Sequence, residues 1–142
     1  MYKRQVDEDH SIQALSAADF LSDLNCEVEL LTGAFYAGAQ TEFGTLQMVY
    51  ERVLKKSVNI RPLTSIRMVD GRTIVTTNVL NGEETPIPDI DLIVTAGLSI
   101  AEDSLYRTAT SLVDQIHLIG DAFAPRKMID AILDGARTAR QI

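Results

Sequence analysis

A chain of 142 residues, 46% of them hydrophobic, is long enough to bury a core and is read as one domain. Its formal net charge of −7 and the absence of a Lys/Arg cluster speak against nucleic acid or an anionic membrane as the main partner. No apolar run approaches the ~20 residues that cross a bilayer, "MYKRQVDEDH" lacks the apolar stretch of a signal peptide, and a single cysteine excludes an internal disulfide and cannot alone hold zinc or an iron–sulfur cluster; a cytoplasmic location with no membrane partner is the expectation.

From Ser11 to Leu24, Ala14, Leu15, Ala18, Leu21 and Leu24 recur at helical spacing, with Ser11 as the cap and Asn25 as the stop. "CEVELLT" then sets Cys26, Val28 and Leu30 against Glu27 and Glu29, a strand with one polar face and a buried thiol. Thr41 to Lys56 carries Phe43, Leu46, Val49, Tyr50 and Val53 on one helical stripe and closes on Lys55 and Lys56, which suit a helix C-terminus. In "NIRPLTSIRMVDGRTIVTTNVLNGEETPI" the pairs Asp70-Gly71 and Asn81-Gly82 separate β-branched runs and predict an antiparallel meander. "IDLIVTAG" reads as a strand, Ala101 to Arg107 as a short helix, "QIHLIGD" as a strand and the remainder as a closing helix packed through Ile129, Ile132, Ala136 and Ala139. The order is that of an α/β chain with an antiparallel insertion.

In open α/β sheets, ligands sit beyond the carboxyl ends of strands, where helix N-termini offer backbone N–H groups. "IGDAFAP" has that arrangement: Gly120 admits a ligand close to the backbone, and Asp121 can accept hydrogen bonds from sugar or ribityl hydroxyls. A plain turn and helix cap is the other reading. Thr95 and Gly97 in "VTAG" form a second strand end of the same kind, with a simple turn again the alternative. The first strand-to-helix turn, "VDEDHSIQAL", has no glycine, and Asp7, Glu8 and Asp9 put carboxylates where a pyrophosphate would sit, so NAD(P) is doubtful there. His10 and His117 read as ordinary histidines, and neither a nucleophile–base pair nor metal-ligand spacing is visible.

On "IGDAFAPRKMIDAILDGARTARQI", and more weakly on "DLIVTAG", the chain from Val6 to Ile142 resembles the C-terminal nucleotide-binding region of the flavin-dependent family of trimethylamine dehydrogenase and 2,4-dienoyl-CoA reductase. The acidic first turn resembles the amine dehydrogenase branch more than the reductases. The resemblance implies a Rossmann-like FAD/NAD(P)-binding fold, in which about residues 6–110 are an NAD(P)-binding-like part with the meander and about 111–142 the closing strand and helix of the FAD/ADP half. It implies FAD or ADP at Gly120-Asp121, the amides of Met128 and Ile129 facing the same ligand, Thr95 and Gly97 bordering it, and Arg126 at a matching basic position. FMN and a 4Fe-4S cluster are then expected in an N-terminal barrel that is absent here, as is the first nucleotide-binding half. With only Val6 left of an opening strand, the domain is read as N-terminally truncated and partial, with barrel and first half as its partners. A segment without chemistry of its own, from an oxidoreductase of amines or enone-type substrates, is the reading. The alternatives are a stand-alone nucleotide-binding or electron-transfer docking module, and an inert fragment that self-associates through an exposed sheet edge.

Overall fold

The computed structural model describes residues 2–142, which divide into two compact units, Met1–Leu98 and Ser99–Ile142. The first unit carries β1 (Tyr2–Asp7), α1 (Ile12–Asp23), β2 (Glu27–Thr32), α2 (Phe43–Lys55), β3 (Asn59–Arg61), β4 (Thr64–Asp70), β5 (Thr73–Asn78), β6 (Glu84–Ile87) and β7 (Leu92–Ala96). The second carries α3 (Ser104–Ala109), a 3-10 turn (Gly120–Ala122) and α4 (Met128–Thr138).

Local chemistry sets the helix limits. Ser11 Oγ accepts from Gln13 N at 3.1 Å and starts α1; Asn25, at φ 55°, takes the left-handed turn after it. The Glu42 carboxylate accepts from Gly44 N and Thr45 N at 2.7 and 2.9 Å and starts α2, while Arg52 and Lys55 face the negative end of its dipole.

Four strands form a parallel sheet in the order β3-β2-β1-β7, and β4-β5-β6 form the antiparallel meander. The register places Gln5 beside Leu30 and Val94, and Asp7 beside Thr32 and Ala96. Paired residues point to the same face, so Val28, Leu30 and Ala96 join Ala14, Leu15 and Ala18 of α1 and Leu46, Val49 and Val53 of α2 in one core. On the opposite face Leu31 meets Ile74 and Ile90, with Ile66, Ile87 and Ile93 around them. The meander is thus the second cover of the sheet.

Several expectations are corrected. The opening strand is not reduced to Val6: β1 is six residues long and lies between β2 and β7, because "YKRQVD" gains partners on both sides and buries Gln5 and Asp7 despite their polarity. The polar face of β2 is exposed only at its first residue, Glu27. Glu29 is buried on the meander side, where Arg4 Nε at 2.8 Å and Arg61 Nη2 at 3.2 Å neutralise it and Asn59 donates to it at 2.6 Å. Cys26 is half-buried and sits just before that strand. Asn59–Arg61, read as the start of the meander, is a third parallel strand, too short to show a period. Phe43 is 76% exposed because it is the first residue of α2, ahead of the buried stripe.

In the second unit "QIHLIGD" forms no strand, since its own unit offers no strand to pair with, and its last two residues belong to the 3-10 turn. The short helix begins at Ser104, not Ala101. Ile129, Ile132, Ala136 and Ala139 are exposed on or just after α4, and none of the helices of this unit buries a residue. No sheet layer within the unit receives that face.

Tyr50 links α2 to the loop after β2: its hydroxyl accepts from Ala37 N at 2.8 Å and donates to Ala37 O at 3.2 Å. Burial, and secondarily the charge of Asp7, raise the Tyr50 pKa above its ordinary 10.0, against the opposing effect of the Ala37 bond. A raised folded-state pKa contributes stability that is complete below the unfolded value and lost as pH rises through the folded one. Denaturation of the protein is therefore expected to show a stability decline above about pH 10 that Tyr50→Phe makes shallower, while the variant loses about 1–3 kcal/mol at neutral pH by orphaning the Ala37 amide. An unchanged alkaline limb would contradict this.

Candidate functional site

The resemblance-based site residues fall into both units: Thr95 and Gly97 in the first, Gly120, Asp121, Arg126, Met128 and Ile129 in the second. In the second unit, Gly120 takes φ 61°, a conformation that favours glycine. A Cβ there would lie 3.4 Å from that of Ala131, so the missing side chain lets the 3-10 turn press against α4. Gly120 N donates to Asp134 Oδ2 at 3.3 Å, and the Gly120 carbonyl accepts from Phe123 N and Ala124 N, each at 3.0 Å.

Arg126 is part of the same brace. Its guanidinium pairs with Asp134, donates through Nε to Ala124 O at 3.2 Å, and lies 5.7 Å from the Phe123 ring centre. The basic position thus has a clear local duty, holding the turn to the helix. Asp121 stands outside the brace: it is exposed, and its carboxylate has no hydrogen bond among the described residues. Met128 and Ile129 are the first two residues of α4, so their amides lack an intrahelical acceptor. Lys127 N is taken by the Asp130 carboxylate at 3.2 Å. The start of α4 therefore offers two unclaimed donors, and the turn before it an unclaimed carboxylate.

In the first unit, Thr95 is exposed on β7 and Gly97 follows that strand. The space beside Gly97 is not empty: Glu8 Oε2 lies 3.4 Å from where its Cβ would be. Glu8 N and Asp9 N both donate to Ala96 O, at 3.0 and 3.2 Å. Asp9 accepts from Ser11 N at 3.0 Å and Ser11 Oγ at 2.6 Å. Asp7 is 2% exposed; its Oδ2 accepts from Thr32 Oγ1 at 3.0 Å and from Gly38 N at 3.2 Å. His10 Nδ1 lies 3.7 Å from that oxygen and 3.5 Å from Thr32 Oγ1, and His10 O accepts from Gln40 N at 2.8 Å. The glycine-free turn was legible in the sequence; this bonding of it to the loop after β2 was not, because Asp7, Thr32 and Gly38 are 25 and 31 residues apart along the chain. His117 is exposed in the segment before the 3-10 turn. Among the described residues there is no group of three or more His, Cys, Asp or Glu side chains able to hold a metal, and no helix is long and apolar enough to cross a membrane.

No protein-family model matches the chain, and a search of curated proteins gives no match either. Solved structures do match. Histamine dehydrogenase from Rhizobium sp. 4-9 aligns with 99% of this chain and 23% of its own at 22% identity and a TM-score of 0.89. The 6-hydroxypseudooxynicotine amine oxidase of Pseudomonas geniculata N1 aligns with 96% of this chain and 21% of its own at 24% identity and a TM-score of 0.83. A 2-naphthoyl-CoA reductase, solved with 2-naphthoyl-CoA, aligns with 99% and 21% at 18% identity and a TM-score of 0.81. At these identities the likeness is one of fold, and the chain spans less than a quarter of each of these proteins. It has the Rossmann-like α/β fold of FAD/NAD(P)-binding proteins, in the form found as one segment of amine dehydrogenases, amine oxidases and CoA reductases of the kind its sequence resembles.

Proposed function

We propose that the chain is the nucleotide-binding C-terminal segment of a flavin-dependent oxidoreductase acting on an amine or an enone-type substrate, and that it holds FAD or ADP without taking part in the chemistry. The observation that carries this reading is the unclaimed set at the start of α4: the Asp121 carboxylate and the Met128 and Ile129 amides. Those groups fit a nucleotide, since the carboxylate accepts from ribose or ribityl hydroxyls while helix-terminal amides and the helix dipole favour phosphate. Gly120 and Arg126 shape the turn that displays them. When bound, FAD or ADP would supply no more than a fixed anionic and hydroxylic ligand here; FMN and a 4Fe-4S cluster belong, in this reading, to a barrel that the parent supplies.

Support for a larger parent comes from the exposed apolar residues of the second unit. Met128 and Ile129 are 80% and 66% exposed, and Ile132 is 60% exposed, a face that an added layer of the parent would cover. The expected partners are accordingly the parent's barrel and its first nucleotide-binding half.

Titration of the chain with ADP is the test. Asp121→Ala is expected to weaken ADP by about 1–3 kcal/mol, since one hydroxyl loses its acceptor, and to leave the melting temperature nearly unchanged because the carboxylate makes no hydrogen bond among the described residues. Equal ADP affinity in wild type and variant would remove Asp121 from the site.

A further inference from the structure

The fold implies a second ligand, a dinucleotide, in the first unit. In an open α/β sheet the ligand crevice lies beyond the carboxyl ends of the strands where the chain order reverses. In β3-β2-β1-β7 that place is between β1 and β7. A dinucleotide needs free amides at the turn after β1, room beside the end of the neighbouring strand, and an open start of the following helix.

Each of these is already taken by the chain itself. The Ala96 carbonyl at the end of β7 binds the amides of Glu8 and Asp9, closing the gap between the two strands. The Glu8 carboxylate fills the approach to Gly97. The Asp9 carboxylate binds the amide and hydroxyl of Ser11, and that hydroxyl caps α1, so an internal anion stands where a phosphate would. A dinucleotide's phosphates would meet the Glu8 and Asp9 carboxylates, next to the buried Asp7.

We propose that the dinucleotide crevice of this unit has become a ligand-free clasp: its carboxylates replace the ligand, and the turn after β1 holds the loop of residues 33–42 in place. The loop bonds support this. Asp7 binds Gly38, His10 O binds Gln40 N, the Thr32 hydroxyl accepts from Ala34 N at 3.3 Å, and Tyr50 binds Ala37. A Cβ at Gly38, where φ is 70°, would fall 2.8 Å from Leu15 and 2.9 Å from Leu46, so the loop reaches down onto the core between α1 and α2. The clasp therefore joins the ends of β1, β2 and β7 to this loop with no ligand between them.

Amide hydrogen exchange on the intact chain, with and without excess NADH or NADPH, tests the proposal. Expected is strong protection of Ala37, Gly38 and Gln40 in the unliganded protein, unchanged by either dinucleotide. Asp7→Ala is expected to lower protection of Gly38 about tenfold or more, whereas Asp7→Asn, which keeps an acceptor oxygen, retains most of it. Added protection of residues 7–13 or 33–41 by NADH or NADPH would overturn the exclusion of the ligand. Wild-type protection of Gly38 in Asp7→Ala would overturn the clasp. Should Asp7→Ala fail to fold, the Asn variant and the dinucleotide arm still decide, and neither depends on ADP or FAD binding in the second unit.

Discussion

Leu31→Ala is expected to destabilise the first unit by about 2–5 kcal/mol, among the largest effects of any single truncation in the chain. Leu31 is fully buried on the meander face of β2, where it contacts a core made of isoleucines from β4, β5, β6, β7 and the segment before β7. Ile74 and Ile87 face each other across β5 and β6, and Ile90 is tied to the β4–β5 turn through Ile90 N donating to Arg72 O at 2.8 Å. Side chains held on hydrogen-bonded strands cannot close the space left by three missing carbons, so the cavity contributes its full cost. Urea denaturation should show the loss, and hydrogen exchange should show β4 to β6 opening before β1 and β2. A change below about 1 kcal/mol would mean that the meander does not depend on this contact.

Gln5→Met is expected to act in the opposite direction, raising stability by about 1–3 kcal/mol. Gln5 lies in β1 with no exposed surface, between Leu30 and Val94 on the helix-covered face. Among the described residues, neither its amide nitrogen nor its amide oxygen finds a hydrogen-bond partner. Methionine has nearly the same length and volume, adapts its rotamers, and brings no polar atom to be desolvated. The expected reading is a higher midpoint in urea with an unchanged slope. A lower midpoint would show that the amide is satisfied in solution and that Gln5 belongs to a polar network.

The two outcomes share a cause with what the sequence revealed and concealed. Alternation and turn chemistry made the meander legible, because Gly71 and Gly82 take φ values of 56° and 73° at the positions where Asp-Gly and Asn-Gly signal a turn. Ser11 as the cap of α1 and Leu46, Val49 and Val53 as the buried stripe of α2 were legible for the same local reasons. What stayed hidden depends on partners distant in sequence. "YKRQVD" has no apolar alternation, yet it becomes a central strand because β2 and β7 pair with it on both sides. "QIHLIGD" has better strand residues and stays unpaired in its own unit.

At the candidate site, motif and geometry diverge in a similar way. Gly120 stood out in the sequence as admitting a ligand and Arg126 came only from the resemblance; within the protein, both brace the turn against α4. Asp121, with no such contact, keeps the ligand-facing reading. A backbone amide left free at a helix start, as at Met128 and Ile129, has no signature in side-chain pattern at all. The carboxylates of the first turn were legible in the sequence, but the bonds of Asp7 to Thr32 and Gly38, of Asp9 to Ser11, and of the Glu8 and Asp9 amides to the Ala96 carbonyl required the folded chain.

Calorimetric titration of the 142-residue chain with FAD, ADP and NADH in separate runs at one moderate salt concentration tests the central claim most directly. The account predicts saturable heat with FAD or ADP, weakened in Asp121→Ala, and none with NADH. Absence of heat with both FAD and ADP, or binding that Asp121→Ala leaves untouched, would contradict a nucleotide held by the turn before α4.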